Sequence, residues 1–359
     1  MAALVCDLTY HHLTDRKNGV TVSRSNRHLE RRSRYKAPVE TGKLPAVLDS
    51  LAAPELGFIE QAKGEADPAA FARTVVFPQG PLVSLIDGFD LSDLSYSLDA
   101  ETIILRAEKE RDDEPGEDLE YGDTPDTLRY RAEMREINEW LASADIDFDD
   151  SAAPNKVVDA NMRPLRRIFN GTFEEGGRLF GGFWQDVTKG QRAEGLTIDG
   201  EAVVTLDYGQ MTPRILYGWA KVEPPAGDLY SIPGLDHHRD GVKKVLNAAL
   251  FSDKPLTRKP QGSTALLPSI PYAAIEAMIA EAHPVIAAQF GRGVGLRAQF
   301  IESQILVRVL LELKAQGVVA LPVHDALIVK RSVEEVVSGT MKSVFKEMVG
   351  VEGHVSEDR

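Results

Sequence analysis

Cysteine is nearly absent from the 359-residue chain, Cys6 being the one example. A lone thiol excludes an intramolecular disulfide framework and any zinc or iron–sulfur centre built from cysteines. It matches a reducing, cytoplasmic setting. Long apolar runs are missing too. Ile305–Leu311, with Arg308 inside it, is typical of the longest and falls far short of the ~18 residues that span a bilayer. The opening MAALVCDLTYHH has no basic stretch followed by an apolar one, so neither a secretory signal nor a membrane partner is expected. No internal repeat is visible. Excess positive charge is also lacking: a net charge of −14 argues against indiscriminate coating of nucleic acid. The sign of a local groove nevertheless matters more than the total.

What is present is globular. Apolar residues make up 43% and charged residues 27%, and the length fits two domains or one large domain with an elaborated end. Charge is unevenly spread. Residues 1–43 hold nine Lys and Arg against four acids, a basic segment that reads either as a solvated surface or as a phosphate-contacting arm. Residues 108–126 hold ten acids against Lys109 and Arg111, broken by Pro115, Gly116, Gly122 and Pro125, as in an exposed loop.

Periodicity predicts strands at Thr74–Phe77 and Thr102–Arg106 and a helix over Thr127–Ala142. Ala202–Leu206 reads as a buried strand ending at Asp207, followed by a helix over Pro213–Ala220. Helices are expected at Arg239–Phe251, at Pro271–Phe290 with a kink at Pro284, and at Ile301–Gln316, stopped by Gly317. Val318–Val323 and Ala326–Lys330 form a tight hairpin with His324-Asp325 at its tip. Ser332 and Glu335 make a capping box for a last helix, roughly 333–348.

Three places suit chemistry. Asp207, at the end of an apolar strand, and Asp325, between apolar strands, are carboxylates on rigid elements. Burying two such groups together is costly unless a cation lies between them. Oxygen ligands of this kind suit Mg2+, or Mn2+. A metal pair about 4 Å apart activates an attacking hydroxyl and stabilises a leaving phosphate oxygen. Between them in sequence, Arg239, Lys243, Asn247 and Phe251 are spaced by four and form one helix stripe. Two cations and an aromatic ring suit a nucleoside triphosphate. A solvated basic helix face has the same pattern. His237 and His238 with Asp236 or Asp240 offer a zinc reading, but no cysteine and no H-x-x-x-H spacing backs it.

The order of these segments resembles the family A DNA polymerases. LDYGQMTPRIL is similar to motif A, the Arg239-x-x-x-Lys243 helix to motif B, and LPVHDALIV to the motif C hairpin. Gly177-Arg178-Leu179, followed by Gln185 and Arg192, resembles the segment that touches the primer–template there. Single-subunit phage-type RNA polymerases share motifs A to C. The resemblance covers about residues 163–335. It implies an α/β polymerase-like right-hand palm, an antiparallel sheet with helices, carrying inserted helical fingers at about 228–295. Residues 161–359 would be the palm–fingers core, and 44–160 a divergent α/β or helical thumb-like or accessory region.

By resemblance, Asp207 and Asp325 bind the metals with help from the Tyr208 carbonyl, and Arg239 and Lys243 hold the triphosphate. Lys243 also protonates pyrophosphate. Tyr208, Thr212, Asn247 and Phe251 complete the nucleotide site, Arg178, Gln185 and Arg192 meet nucleic acid, and His324 supports the primer end. Implied partners are a primer–template and nucleoside triphosphates, and a compact chain of this kind suggests a phage or other mobile element. Three positions depart from the pattern: Thr212 stands where the DNA enzymes carry Glu, Asn247 where an aromatic follows the motif B lysine, and Ala326 where a third acid follows His-Asp. Thr212 implies relaxed sugar selection, ribonucleotide use or primer synthesis. The first 150 residues lack the Asp-x-Glu strand signature expected of a proofreading exonuclease. The competing expectations are a metal-dependent nuclease using the same aspartates and an inactive nucleic-acid-binding replication or regulatory protein.

Overall fold

The computed structural model describes residues 2–14, 19–63, 74–94, 96–97, 100–108 and 116–358. Arg16 and Lys17 of the basic segment and 109–115 of the acidic loop lie outside the described residues. The chain divides into two units, Met1–Glu101 with Pro154–Met162, and Thr102–Ala153 with Arg163–Arg359.

The smaller unit contains α1 (Ala2–Leu13), β1 (Val20–Val22), α2 (Asn26–Glu30), α3 (Leu44–Leu51), β2 (Ile59–Ala62), β3 (Thr74–Pro78) and α4 (Gly80–Ile86). Its antiparallel sheet runs β1-β3-β2. Leu4 and Leu8 of α1 and Leu29 of α2 share one buried cluster with Leu44, Leu48, Ile59 and Val76. Part of the basic segment thus shares a hydrophobic core with residues after 43. The division into units falls at 101/102, with 154–162 belonging to the smaller unit.

The larger unit begins with β4 (Ile103–Arg106), α5 (Pro125–Ser143), β5 (Ile146–Phe148), β6 (Leu165–Asn170), β7 (Thr172–Gly181), α6 (Phe183–Asp186) and α7 (Lys189–Gly195). It continues with β8 (Leu196–Ile198), β9 (Glu201–Gly209), α8 (Met211–Ala220), α9 (Arg239–Phe251), α10 (Tyr272–Ala282), α11 (Pro284–Ala287) and α12 (Gly295–Ala315). It closes with β10 (Ala320–Val323), β11 (Ala326–Lys330), α13 (Glu334–Val349) and β12 (His354–Glu357). One sheet runs β10-β11-β9-β8-β5, with β12 paired to the end of β9, and a second runs β4-β6-β7. Between α8 and α12 the described elements are helical and share a buried cluster that includes Leu229, Val242, Leu246, Ile275 and Ile279.

Local chemistry explains most boundaries. The Thr124 and Thr127 hydroxyls each accept from the other's backbone N–H, at 3.2 and 2.8 Å, and start α5 at Pro125. Side chains alternate along β9: Leu206 and Tyr208 enter the core, and Asp207 takes the opposite face. The expected helix over 271–290 is broken rather than kinked, because His283 before Pro284 leaves the helical region (φ −135°, ψ 68°). The expected capping box at Ser332 is also corrected. Its hydroxyl and backbone N–H both donate to Glu201 at the start of β9, 2.7 Å each, and α13 begins after Val333 without a side-chain cap. A contact 131 residues away outcompetes the local one.

The two sheets of this unit are bridged through α12. Arg167 on β6 is fully buried. Its Nε donates to the Gly177 carbonyl (3.0 Å), its Nη2 to the Ser303 hydroxyl (2.9 Å), and its Nη1 lies 3.5 Å from Glu133. The guanidinium also stacks over Tyr130, 4.7 Å from the ring centroid. Gly177, at φ +79°, lets β7 press against Ser303, which a Cβ there would meet at 2.8 Å. Removing a buried charge partner strands the groups around it, so Arg167→Ala should cost about 3–5 kcal/mol in urea unfolding. A loss below about 1 kcal/mol would contradict this role.

Candidate active site

Backbone register brings Asp207 and Asp325 together. In the β9–β11 ladder Asp207 faces Ala326, and the Tyr208 N–H donates to the Asp325 carbonyl (3.3 Å). The tip that carries Asp325 turns at His324, which adopts φ +56°. Position 207 is anchored from behind. The Tyr208 ring is buried against Phe345 of α13, and its hydroxyl donates to the Met341 carbonyl (2.6 Å). The Tyr208 ring thus belongs to the core, and its backbone is what meets Asp325.

Electrostatics follow from this placement. Burial and then the negative charge of Asp325 push the Asp207 carboxyl up to about 7, with smaller contributions from Asp358 and Glu302. The positive charge of Lys243 on α9 opposes the shift. Asp358, beyond β12, donates its N–H to the Thr205 carbonyl (2.8 Å) and accepts from Lys189 Nζ (2.7 Å). Two neighbouring carboxylates have the chemistry of a divalent-cation site. Among the described residues no group of three or more His, Cys, Asp or Glu side chains is gathered to hold a metal. The pair Asp207 and Asp325 therefore stands without a third ligand of those types. His237 and His238 gain nothing from the structure as zinc ligands: His238 Nδ1 bonds the Leu266 carbonyl (2.9 Å).

The α9 stripe is real. Arg239, Lys243 and Phe251 are exposed and Asn247 is half-buried. Arg239 Nε donates to Asp228. Phe251 packs at the start of α12, where a Cβ on Gly295 would overlap its ring. Gln210, in the left-handed region at φ +62°, accepts from the Leu229 N–H and from Arg214 Nη2, 3.2 Å each. Thr212 sits half-exposed in the first turn of α8.

Residues expected to touch nucleic acid divide into two groups. Arg178 remains part-exposed, and its Nε donates to Glu302 (2.7 Å). His324 is exposed and meets Phe180 edge-on, centroids 6.3 Å apart. Gln185 and Arg192 both bond backbone groups. Gln185 spends its amide on the backbone, donating to the carbonyls of Leu179 (3.2 Å) and Pro322 (2.8 Å) and accepting from the Gly181 N–H (3.2 Å). Arg192 Nη1 donates to the carbonyls of Trp184 (3.2 Å) and Val187 (2.7 Å). Gln185 links the end of β7 to β10, and Arg192 braces the segment around α6.

Two residues escaped the sequence reading. Glu302 is buried on α12, with burial holding its carboxyl up at about 7 against the pull of Arg178. Its signal was a carboxylate in register with Ala298, Ile305 and Leu306 on a core-facing stripe. Tyr230 is buried beside Arg239 and Lys243. Burial first, then the charge of Asp325, raises its hydroxyl pKa. No local pattern marks it.

No protein-family model matches the chain, and no curated protein matches it. Among solved structures it is similar to the POL domain of Pol1 from M. smegmatis, in complex with DNA primer-template and dNTP. The identity is 13% and the TM-score 0.35, over 65% of this chain and 50% of that one, so the chain spans half of that domain's length. A likeness of that size does not establish a shared fold. No described helix is long and apolar enough to cross a membrane.

The elevated Asp207 carboxyl sets a pH dependence. An unfolded aspartate loses its proton near 3.9, and the folded one holds it to about 7. The folded state therefore binds more protons in between, and stability falls as pH rises through that window. In chelator, Asp207→Asn should melt above the wild type at pH 8, the gap narrowing towards pH 5. Mg2+ should raise the wild-type melting temperature at pH 8 and leave the variant unmoved. Equal melting temperatures at pH 8 would contradict the repulsion.

Proposed function

We propose that the chain is a template-directed nucleotidyltransferase of the family A polymerase type. The observation that carries this reading is the convergence of Asp207 and Asp325 at a strand–hairpin corner, with the charge of Lys243 felt at Asp207. The four motif segments also occur in the order that the resemblance requires. In this reading the larger unit serves as palm, with residues 228–295 as fingers.

Asp207 and Asp325 would hold the divalent cations, Mg2+ or Mn2+, with the Tyr208 carbonyl beside them. Such ions, when bound, lower the proton affinity of a primer 3′-hydroxyl and neutralise charge on the phosphates. Arg239 and Lys243 grip the triphosphate, and Asn247, Phe251 and Thr212 border the sugar and base. Lys243 is the donor for the departing pyrophosphate. Arg178 and His324 meet the primer end. Their contribution is orientation and fixed charge, set before the substrate arrives.

Primer extension with Mg2+ and nucleotides tests the reading. A longer product is expected, and Asp207→Ala or Asp325→Ala should lower its rate at least about a thousandfold with primer–template binding kept. A shorter product would mean a nuclease, and a shifted but unchanged band an inactive binding protein. Thr212 in place of Glu leaves the ribose 2′-hydroxyl unopposed. The wild type should thus accept NTPs, and Thr212→Glu should move it towards dNTPs. A strong wild-type preference for dNTPs would defeat the relaxed-selection part.

A further inference from the structure

Tyr230 lies on the stretch between α8 and α9, outside all three motifs. Its ring is 4% exposed. The ring centroid is 5.3 Å from Arg239 Cζ and 5.9 Å from Lys243 Nζ, within cation–π range of both. The Tyr230 N–H donates to Asp228 Oδ1 (3.0 Å), and the other oxygen of Asp228 accepts from Arg239 Nε. The Leu229 N–H donates to Gln210, three residues after Asp207 (3.2 Å). The segment 228–230 is thus tied on one side to the β9–α8 turn and on the other to the cationic stripe of α9.

We propose that Tyr230 is a positioning residue for triphosphate recognition, its ring serving as the platform that holds Arg239 and Lys243 ready for the phosphates. The inference rests on the nucleotidyl-transfer reading and adds to it a residue the motifs do not include. Long cationic side chains lose rotamer freedom when they grip a ligand, and a platform that restricts them beforehand lessens that loss. Half of the Arg239 side chain stays exposed while Asp228 holds its Nε, so the guanidinium is anchored and still presented. The α9 helix carries Asn247 where the resemblance expects an aromatic. Tyr230 brings a ring to Arg239 and Lys243 from the preceding loop.

The test is calorimetric binding of inorganic tripolyphosphate, with Mg2+, to the full chain. Tyr230→Phe keeps the ring and should bind within about twofold of the wild type. Tyr230→Leu keeps apolar bulk without a ring and should weaken binding about tenfold. Thermal unfolding shows whether each variant is folded, and Tyr230→Met repeats the comparison if the leucine variant is not. Wild-type affinity in the leucine and methionine variants, or equal weakening in Tyr230→Phe and Tyr230→Leu, would overturn the platform. A wild type that binds no tripolyphosphate would overturn it as well. A wild type that binds tripolyphosphate yet extends no primer would defeat the proposed function while leaving the platform standing.

Discussion

The Asp207–Asp325 pair depends on one constraint, the backbone register between β9 and β11. Asp207 and Asp325 are set side by side by a ladder that cannot slip, because a one-residue shift of β9 would turn Leu206 and Tyr208 out of the core. Burial first and then the charge of Asp325 raise the proton affinity of Asp207. It persists because the surroundings over-determine the position: the Tyr208 hydroxyl on Met341, the Phe345 ring behind, and β12 on the far edge of β9. Strain retained at a corner that is otherwise tightly built belongs with ligand binding more readily than with stability.

Much of the polar chemistry nearby is structural support. Trp184 and Gln185 both donate to the Pro322 carbonyl, fixing β10 just before the turn that carries Asp325. Arg192 caps the carbonyls behind that turn. Glu302 holds Arg178 by its Nε, and Arg178 in turn places positive charge near Asp325 and His324. Removing a brace would move the carboxylates without touching them, so residues of both kinds matter to one site.

The elements that carry the site were legible because their signals are local. The strand ending at Asp207, the hairpin around His324-Asp325 and the Arg239–Phe251 helix follow from apolar runs and from four-residue spacing, and α9 has the expected limits. Residues whose roles depend on distant partners were not. Gln185 meets a carbonyl 137 residues away, Glu302 an arginine 124 away, and Ser332 a glutamate 131 away. Tyr230 gives no periodic signal at all. The division into units is of the same long-range kind: residues 154–162 belong to the first unit, and Leu4 and Leu8 pack with Leu44 and Leu48 across a change of charge.

The central claim is that Asp207 and Asp325 share a divalent cation. A crystal of the full chain soaked in Mn2+ tests it directly through anomalous scattering at the manganese edge. The account predicts a peak within coordination distance of both carboxylates. A peak bound elsewhere with none at this corner, or carboxyl groups too far apart to share an ion, would contradict it.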